Sequence, residues 1–324
     1  MNRLKQFISN LGRVPAVPLA GFPGIQLTRT SVRENLFDSR TQVESLLALY
    51  EAIQPDALFT MMDLTVEAEF LGCRLTITDD DPPAVAAPAL KDGQSIAEFF
   101  KNKTVGGRMP LFAEAVRRLK RALDVPVCAY VIGPLTLTGE IMDLVHVMKA
   151  IRRNPDQLHR VLSKSTELIL QYAALLEDAG ADLICVLEPS AMMISAVQFP
   201  EFSGQYCQRI FTEGISGMRV LHICGDTNHL VLEMEKTGAD GLSLDKHVPL
   251  PQAYDTLRHE TVLIGNIDPV SVLTFRTAAE VKSSCRELVQ AMQGKKNFIL
   301  SSGCDIPQLA PIENIKALVS SARP

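Results

Sequence analysis

Two stretches decide the fold: EDAGADLICVLEP, residues 177–189, and EKTGADGLSLD, residues 235–245. Each ends a helical pattern at a glycine (Gly180, Gly238), passes through Ala-Asp, and opens at once into a short apolar run. Glycine is the common residue just past a helix, because the chain there turns into a left-handed conformation that a Cβ disfavours. An apolar run too short and continuous to alternate reads as a parallel strand covered on both faces. Two copies of one helix–Gly–Ala–Asp–strand ending therefore mark a βα repeat.

Working outward, the same rhythm gives eight candidate strands. They are Val14–Ala20, Ala57–Met62, Val125–Ile132, Leu183–Leu187, Arg219–Cys224, Gly241–Leu244, Val262–Gly265 and Asn297–Ser301. Segments with helical spacing separate them: Thr41–Ile53, Leu111–Leu123, Pro155–Ala179, Pro200–Gly217, Asn228–Thr237, Ala278–Gln293 and Pro311–Ser321. Thr76–Gly107 is the one long irregular stretch, placed after the second strand, where barrel enzymes carry insertions over the active site. Alternation alone also suits an open doubly wound sheet. The count of eight and the lack of a G-x-G-x-x-G after the first strand favour a single (β/α)8 TIM barrel over residues 1–324.

Composition narrows the class. Of 324 residues 47 % are hydrophobic, enough for a large core, and the formal charge of −5 shows no basic excess of the kind that binds nucleic acid. The opening MNRLKQFISNLGRVPAVPLAG has no continuous apolar segment, and no run elsewhere approaches the ~20 residues of a membrane span. The expectation is a cytoplasmic enzyme with small-molecule or protein partners, no nucleic acid and no membrane. Seven cysteines, an odd number without a secretion signal, argue against a disulfide framework. Cys73, Cys128, Cys185, Cys207 and Cys285 read as small buried apolar residues.

In a barrel the chemistry stands at the carboxyl ends of the strands. That register collects Asp63, Gly133-Pro134, Glu188, His222 with Cys224, Asp245, Asn266 with Asp268, and Cys304 on one rim. His222 and Cys224, two apart on an extended strand, point to the same side, and Cys304 can approach across the mouth. Two thiolates and an imidazole suit Zn²⁺, and three protein ligands leave a fourth position for substrate. A zinc with two thiolates is formally neutral; a substrate thiol there loses its proton and becomes a nucleophile at neutral pH. Asp245 is placed to fill the fourth position when substrate is absent, or to orient a ligand instead. An isolated H-x-C is also met among ordinary buried residues, so spacing leaves both readings open. Asp63 and Glu188 read as rim carboxylates with catalytic roles, or as partners of nearby cations. His146, His159, His229 and His259 fall in helical segments as surface or capping residues, His247 in a loop. Met61, Met62, Met192 and Met193 read as core filling, and Asp268 as a cap for the next helix.

These residues also carry a resemblance. HICGDT (222–227), TGADGLSLD (237–245), GNIDP (265–269), SSGCDIP (301–307) and PIENIKALV (311–319), with MMDLTVEAEFLG (61–72), IGPLTLTGE (132–140) and LEPSA (187–191), resemble the uroporphyrinogen decarboxylase superfamily. Within it they are most similar to the zinc-dependent methylcobalamin:coenzyme M methyltransferase branch. True decarboxylases use no metal and carry an R-Q-A-G-R motif and a late N-L-G-H. Here AGFPGIQLTRTSVREN (20–35) sets Arg29 and Arg33 at other spacings, and SSGC puts Cys304 where that histidine would be. Asp63 matches an aspartate of the decarboxylases and does not discriminate. The resemblance implies a zinc-held thiol such as coenzyme M attacking the methyl group of a methylated corrinoid, delivered by a corrinoid protein or as free methylcobalamin. The competing expectation is metal-free uroporphyrinogen decarboxylation centred on Asp63.

Overall fold

The structure, a computed structural model, describes residues 2–258 and 260–323; His259 lies outside the described residues. Seven parallel strands form one sheet in the order β1 (Leu58–Phe59), β4 (Val127–Ile132), β5 (Leu183–Leu187), β6 (Met218–Ile223), β7 (Gly241–Leu244), β8 (Val262–Ile267) and β9 (Phe298–Ser302). A separate antiparallel hairpin, β2 (Arg74–Thr76) with β3 (Ala84–Ala87), occupies the start of the stretch expected to be irregular. The sheet curls into a TIM-barrel-like α/β fold.

The eighth stave is the expected Val14–Ala20, yet it is no regular strand. Ala16 makes a lone parallel bridge to Leu300, Val17 N–H donates to Leu300 O (2.9 Å), and Asp56 N–H donates to Ala16 O (3.0 Å). The segment thus joins β9 to the chain entering β1 and closes the ring. Pro15 and Pro18 have no N–H to donate, so a continuous ladder cannot form there.

The repeated Gly-Ala-Asp ending has a physical function at each step. Gly180 (φ +105°) and Gly238 (φ +82°) take the left-handed turn. The aspartate that follows reaches back to the preceding stave: Asp182 accepts from Val127 N–H (2.8 Å) and Asp240 from Arg219 N–H (3.0 Å). Asp56, before β1, does the same for Ala16 N–H at 2.7 Å. Each carboxylate also holds a cation, Lys120, Arg219 and Arg13 respectively. Hydrogen bonds to charged groups contribute about 1.5–3 kcal/mol, so these staples pin the amino-terminal end of the barrel in register.

Alternate strand residues fill the barrel: Val17 and Leu19, Phe59, Cys128 and Tyr130, Cys185 and Leu187, Val220, Val262 and Ile264, and Ile299 form one buried cluster. Leu4, on the helix Arg3–Leu11, plugs its lower end, with Phe7 and Ile8 packed alongside. The outer faces of the strands pack against the surrounding helices in a second, larger cluster.

Most expected helices lie within two residues of their observed bounds, among them Ser39–Ile53, Met109–Ala122, Pro155–Asp178 and Ala278–Ala291. Asn228–Thr237 shrinks to Val231–Glu235, leaving His229 in a turn with its Nε2 on Ile194 O (3.0 Å). Met61 is core, whereas Met192 and Met193 are exposed on the loop after β5 and do not fill the core as expected.

Candidate metal centre

His222, near the end of β6, and Cys224, just past it, share the inward face, and Cys304 follows β9. Two strands separate β6 from β9 around the ring, and the curl brings the three side chains together. Their ligand atoms all lie within 4.8 Å of one another, with Cys304 Sγ 3.7 Å from His222 Nε2. A tetrahedral zinc with ordinary Zn–S and Zn–N bonds sets its donors roughly 3.5–3.8 Å apart, so the donor set and its spacing fit that ion.

Local chemistry prepares the cluster. Ser243, paired opposite His222 in the β6–β7 ladder, places its Oγ 2.9 Å from His222 Nδ1. In the tautomer that carries its proton on Nδ1, the Nε2 lone pair faces the sulfurs, as a metal-binding imidazole requires. Cys224 is held well below an ordinary thiol's pKa, chiefly by a hydrogen bond from Cys304 and also by His222, against the cost of burial. Cys304 is pushed up by the same hydrogen bond and by burial. The approach of Cys304 depends on Gly303: a Cβ there would stand 2.7 Å from Lys246 N, in the backbone after β7.

The five other cysteines are buried and separate from this cluster. Burial pushes Cys73 up to about 11 and Cys285 up to about 12. Their thiols stay protonated and behave as core atoms.

The acidic residues expected on the rim divide in three ways. Asp245 accepts from Gly225 N–H at 3.0 Å, beside Cys224, but its oxygens are not among the atoms of the His–Cys–Cys group. Asp63 is committed elsewhere: Oδ1 accepts from Thr65 N–H (2.8 Å) and Oγ–H (2.7 Å), and Oδ2 pairs with Arg108 at 2.5 Å. Arg108 also holds Glu69 and lies 4.5 Å over the Phe37 ring. Glu188 is fully buried and reaches the amino-terminal turn of the helix Pro134–Met142, accepting from Thr136 N–H at 3.0 Å. Gly133 has no side chain to cap that helix, so Glu188 does it from the neighbouring strand. Burial pushes the Glu188 carboxyl up to about 8.

Several participants escaped the sequence reading. Ser243 was legible in principle, two positions before Asp245 on the same face of the strand. Glu67, fully buried and accepting from Ile132 N–H at 3.0 Å, is raised to about 8 by desolvation and gave no sequence signal beyond helical spacing. Tyr130 Oη, Ser301 Oγ and Asp305 Oδ1 are buried without a hydrogen-bond partner, and their residues read from sequence simply as strand or loop positions. Asp268 does not cap the next helix, Ala278–Ala291, whose cap is Thr277; it caps the turn after β8, accepting from Val270 and Ser271 N–H (2.9 Å each), and pairs with Lys246.

Among the described residues no helix is long and apolar enough to cross a membrane. The family model described as uroporphyrinogen decarboxylase (URO-D) matches residues 11–324. A methylated-thiol–coenzyme M methyltransferase of Methanosarcina mazei is 27 % identical over 291 residues, 89 % of this chain and 77 % of that protein. A methylcobamide:CoM methyltransferase of Methanosarcina barkeri is 29 % identical over 284 residues, 85 % and 81 % of the two chains. Among solved structures, a methyltransferase from Methanosarcina mazei superposes with a TM-score of 0.86 at 25 % identity, over 96 % of this chain and 93 % of the other.

Proposed function

The chain belongs to the uroporphyrinogen decarboxylase family, and from that premise we propose that it is a zinc-dependent methyltransferase moving a methyl group from a methylated corrinoid to a thiol. The observation that carries this reading is the convergence of His222, Cys224 and Cys304 on one point of the barrel mouth. The methyltransferase relatives support the reaction class. We read residues 1–324 as one domain acting in the cytoplasm on a small thiol, with a corrinoid protein or free methylcobalamin as the donor.

In this reading His222 Nε2 and the sulfurs of Cys224 and Cys304 hold the ion, and Asp245 is assigned to the fourth position when no thiol is bound. Zinc, when bound there, supplies a Lewis acid that lowers the pKa of a thiol and keeps the thiolate nucleophilic at neutral pH. Ser243 fixes the imidazole. The Gly225 N–H holds the Asp245 carboxylate beside Cys224. Met192, 39 % exposed and lying against Gly225, gives the approach to the centre an apolar wall suited to a flat macrocycle. Asp63 is given the role of closing the adjoining wall through Arg108, and Glu188 that of capping a helix; neither is assigned a step in the reaction.

In the transfer, the thiolate sulfur attacks the methyl carbon, the cobalt–carbon bond breaks, and its electron pair stays on cobalt. The test is zinc content of the purified protein together with demethylation of methylcobalamin, followed by its absorbance, with a panel of small thiols. Near one zinc per chain and thiol-dependent demethylation are expected. Absence of zinc after purification with zinc supplied, with porphyrinogen decarboxylation that needs Asp63, overturns the reading in favour of the decarboxylase.

A further inference from the structure

A second concavity opens beside the barrel mouth, a groove of about 450 Å³ between the helix Leu144–Arg153 and the loop after β5. The helix presents one stripe to it. Val145, Lys149 and Arg152 recur at spacings of four and three, which stacks them on a single face, and Arg153 closes the carboxyl end. Met193 and Ile194 form the facing wall. Three cations and no carboxylate line the groove, in a chain whose formal charge is −5. Acids on adjoining elements are engaged elsewhere: Asp143 accepts from Val145 and His146 N–H (2.9 and 3.3 Å), Asp92 faces His146 and Glu201 faces His159. Among the described residues no acid pairs with Lys149, Arg152 or Arg153. Cations at the carboxyl end of a helix complement its dipole, which accounts for the two arginines but not for Lys149, a turn earlier.

The groove adjoins the approach to the metal centre. Met193 lines it, while Met192, the residue before, lies against Gly225, which follows Cys224. Adjacent residues of one short helical turn, Pro189–Met193, thus face the two sites, and His229 Nε2 on Ile194 O (3.0 Å) ties that loop to the turn after β6. Resting on the methyltransferase reading above, we infer that this groove holds the phosphodiester of a free corrinoid donor. Methylcobalamin is taken with its nucleotide tail: Lys149, Arg152 and Arg153 bind the phosphate, and the apolar walls pack against the nucleoside attached to it. Arginine forks and a lysine ammonium are the side chains best matched to phosphate oxygens. The tail leaves the macrocycle at its edge and carries the one anionic group on a periphery otherwise made of amides and methyls. The volume falls within the roughly 300–1,000 Å³ of small-molecule sites, rather than presenting the broad face of about 800 Å² over which a protein docks.

The experiment titrates two donors into the full-length protein loaded with zinc: methylcobalamin, and methylcobinamide, which lacks the nucleotide and its phosphate. Calorimetry without thiol gives the affinities in the absence of turnover. Methylcobalamin is expected to bind about tenfold or more tighter. The triple variant Lys149→Ala/Arg152→Ala/Arg153→Ala is expected to lose most of that gap at unchanged zinc content. Raising salt from about 0.05 to 0.5 M is expected to narrow it in the unsubstituted protein. Equal affinities for the two donors overturn the inference. So does a gap that survives the triple variant, which would assign it to the base. An equal loss for both donors also overturns it, since the cations would then belong to the scaffold. Should the triple variant not fold, Lys149→Gln and the salt dependence decide alone. Zinc bound and thiol-dependent demethylation retained, with the donors ranked alike, sinks this inference only. Absence of both zinc and demethylation sinks the methyltransferase reading with it.

Discussion

Asp63 and Cys304 both stand just beyond strands on the same rim, and they are built in opposite ways. Around Asp63 every oxygen is taken: Thr65 and Arg108 saturate it, and Arg108 is in turn held by Glu69. Around Cys304 the donors converge without saturating one another, and the next residue, Asp305, keeps a buried oxygen without a partner. A closed ion-pair network fixes a wall and has no capacity left for a ligand. An under-satisfied cluster costs stability and persists where something else is to be bound. On the proposed reading, the same residue types read from sequence as rim chemistry divide into scaffold and site.

The comparison breaks most sharply at the cysteines. Cys304→Ala is expected to lower zinc from about one per chain to below about a tenth and to abolish methyl transfer, because two donors hold the ion poorly. Full zinc occupancy in that variant, measured by atomic emission, would return Cys304 to the core cysteines.

The wall answers to a different readout. Arg108→Met leaves the buried Asp63 carboxylate unpaired and is expected to cost about 3–5 kcal/mol of stability, with zinc content untouched. Adding Asp63→Asn should recover part of that loss, since the uncompensated charge is gone. If chemical denaturation shows no change while methyl transfer is lost, Asp63 belongs to the site after all.

Ser243→Ala sharpens the boundary between the two regions. The His222 ring loses the partner of Nδ1, and zinc affinity is expected to fall about 10–100-fold, with the melting temperature of the metal-free protein nearly unchanged. A competitive chelator titration settles it; unaltered affinity would mean that packing alone holds the ring.

The smallest effect concerns the buried acids. Glu67 and Glu188 stay protonated in the folded chain up to about 8 and ionise near 4.3, the ordinary glutamate value, when unfolded. Between those limits the unfolded chain binds fewer protons, so stability falls as pH rises from about 4.5 to 8 and levels off above. Glu188→Gln removes one of the two contributions, and the drop in melting temperature between pH 5.5 and 8 is expected to shrink by a few degrees. An unchanged drop would show that Glu188 is ionised in the fold.

Much of the barrel was legible because its determinants are local. Gly180 and Gly238 end helices for reasons carried by one residue, and the apolar runs at 183–187, 241–244 and 262–265 are short enough to have one reading. The first stave was legible as apolar, but its reduction to a bridge follows from Pro15 and Pro18 meeting the ladder of β9. The hairpin Arg74–Thr76/Ala84–Ala87 was missed because TITDDDPPAVAA alternates weakly around an acidic, proline-rich turn.

For the site, residue type and strand register by themselves put His222, Cys224 and Cys304 on one rim, because side-chain direction along a strand has period two and barrel strands share a polarity. What they could not supply was distance around the ring. Only the closed sheet decided that Cys304 meets His222, that Glu188 turns outward to cap a helix, that Asp63 is consumed by Arg108 from a segment 45 residues away, and that Tyr130, Ser301 and Asp305 remain open. Those outcomes depend on which partner reaches a polar atom first, and partners are set by curvature and packing between elements remote in the chain.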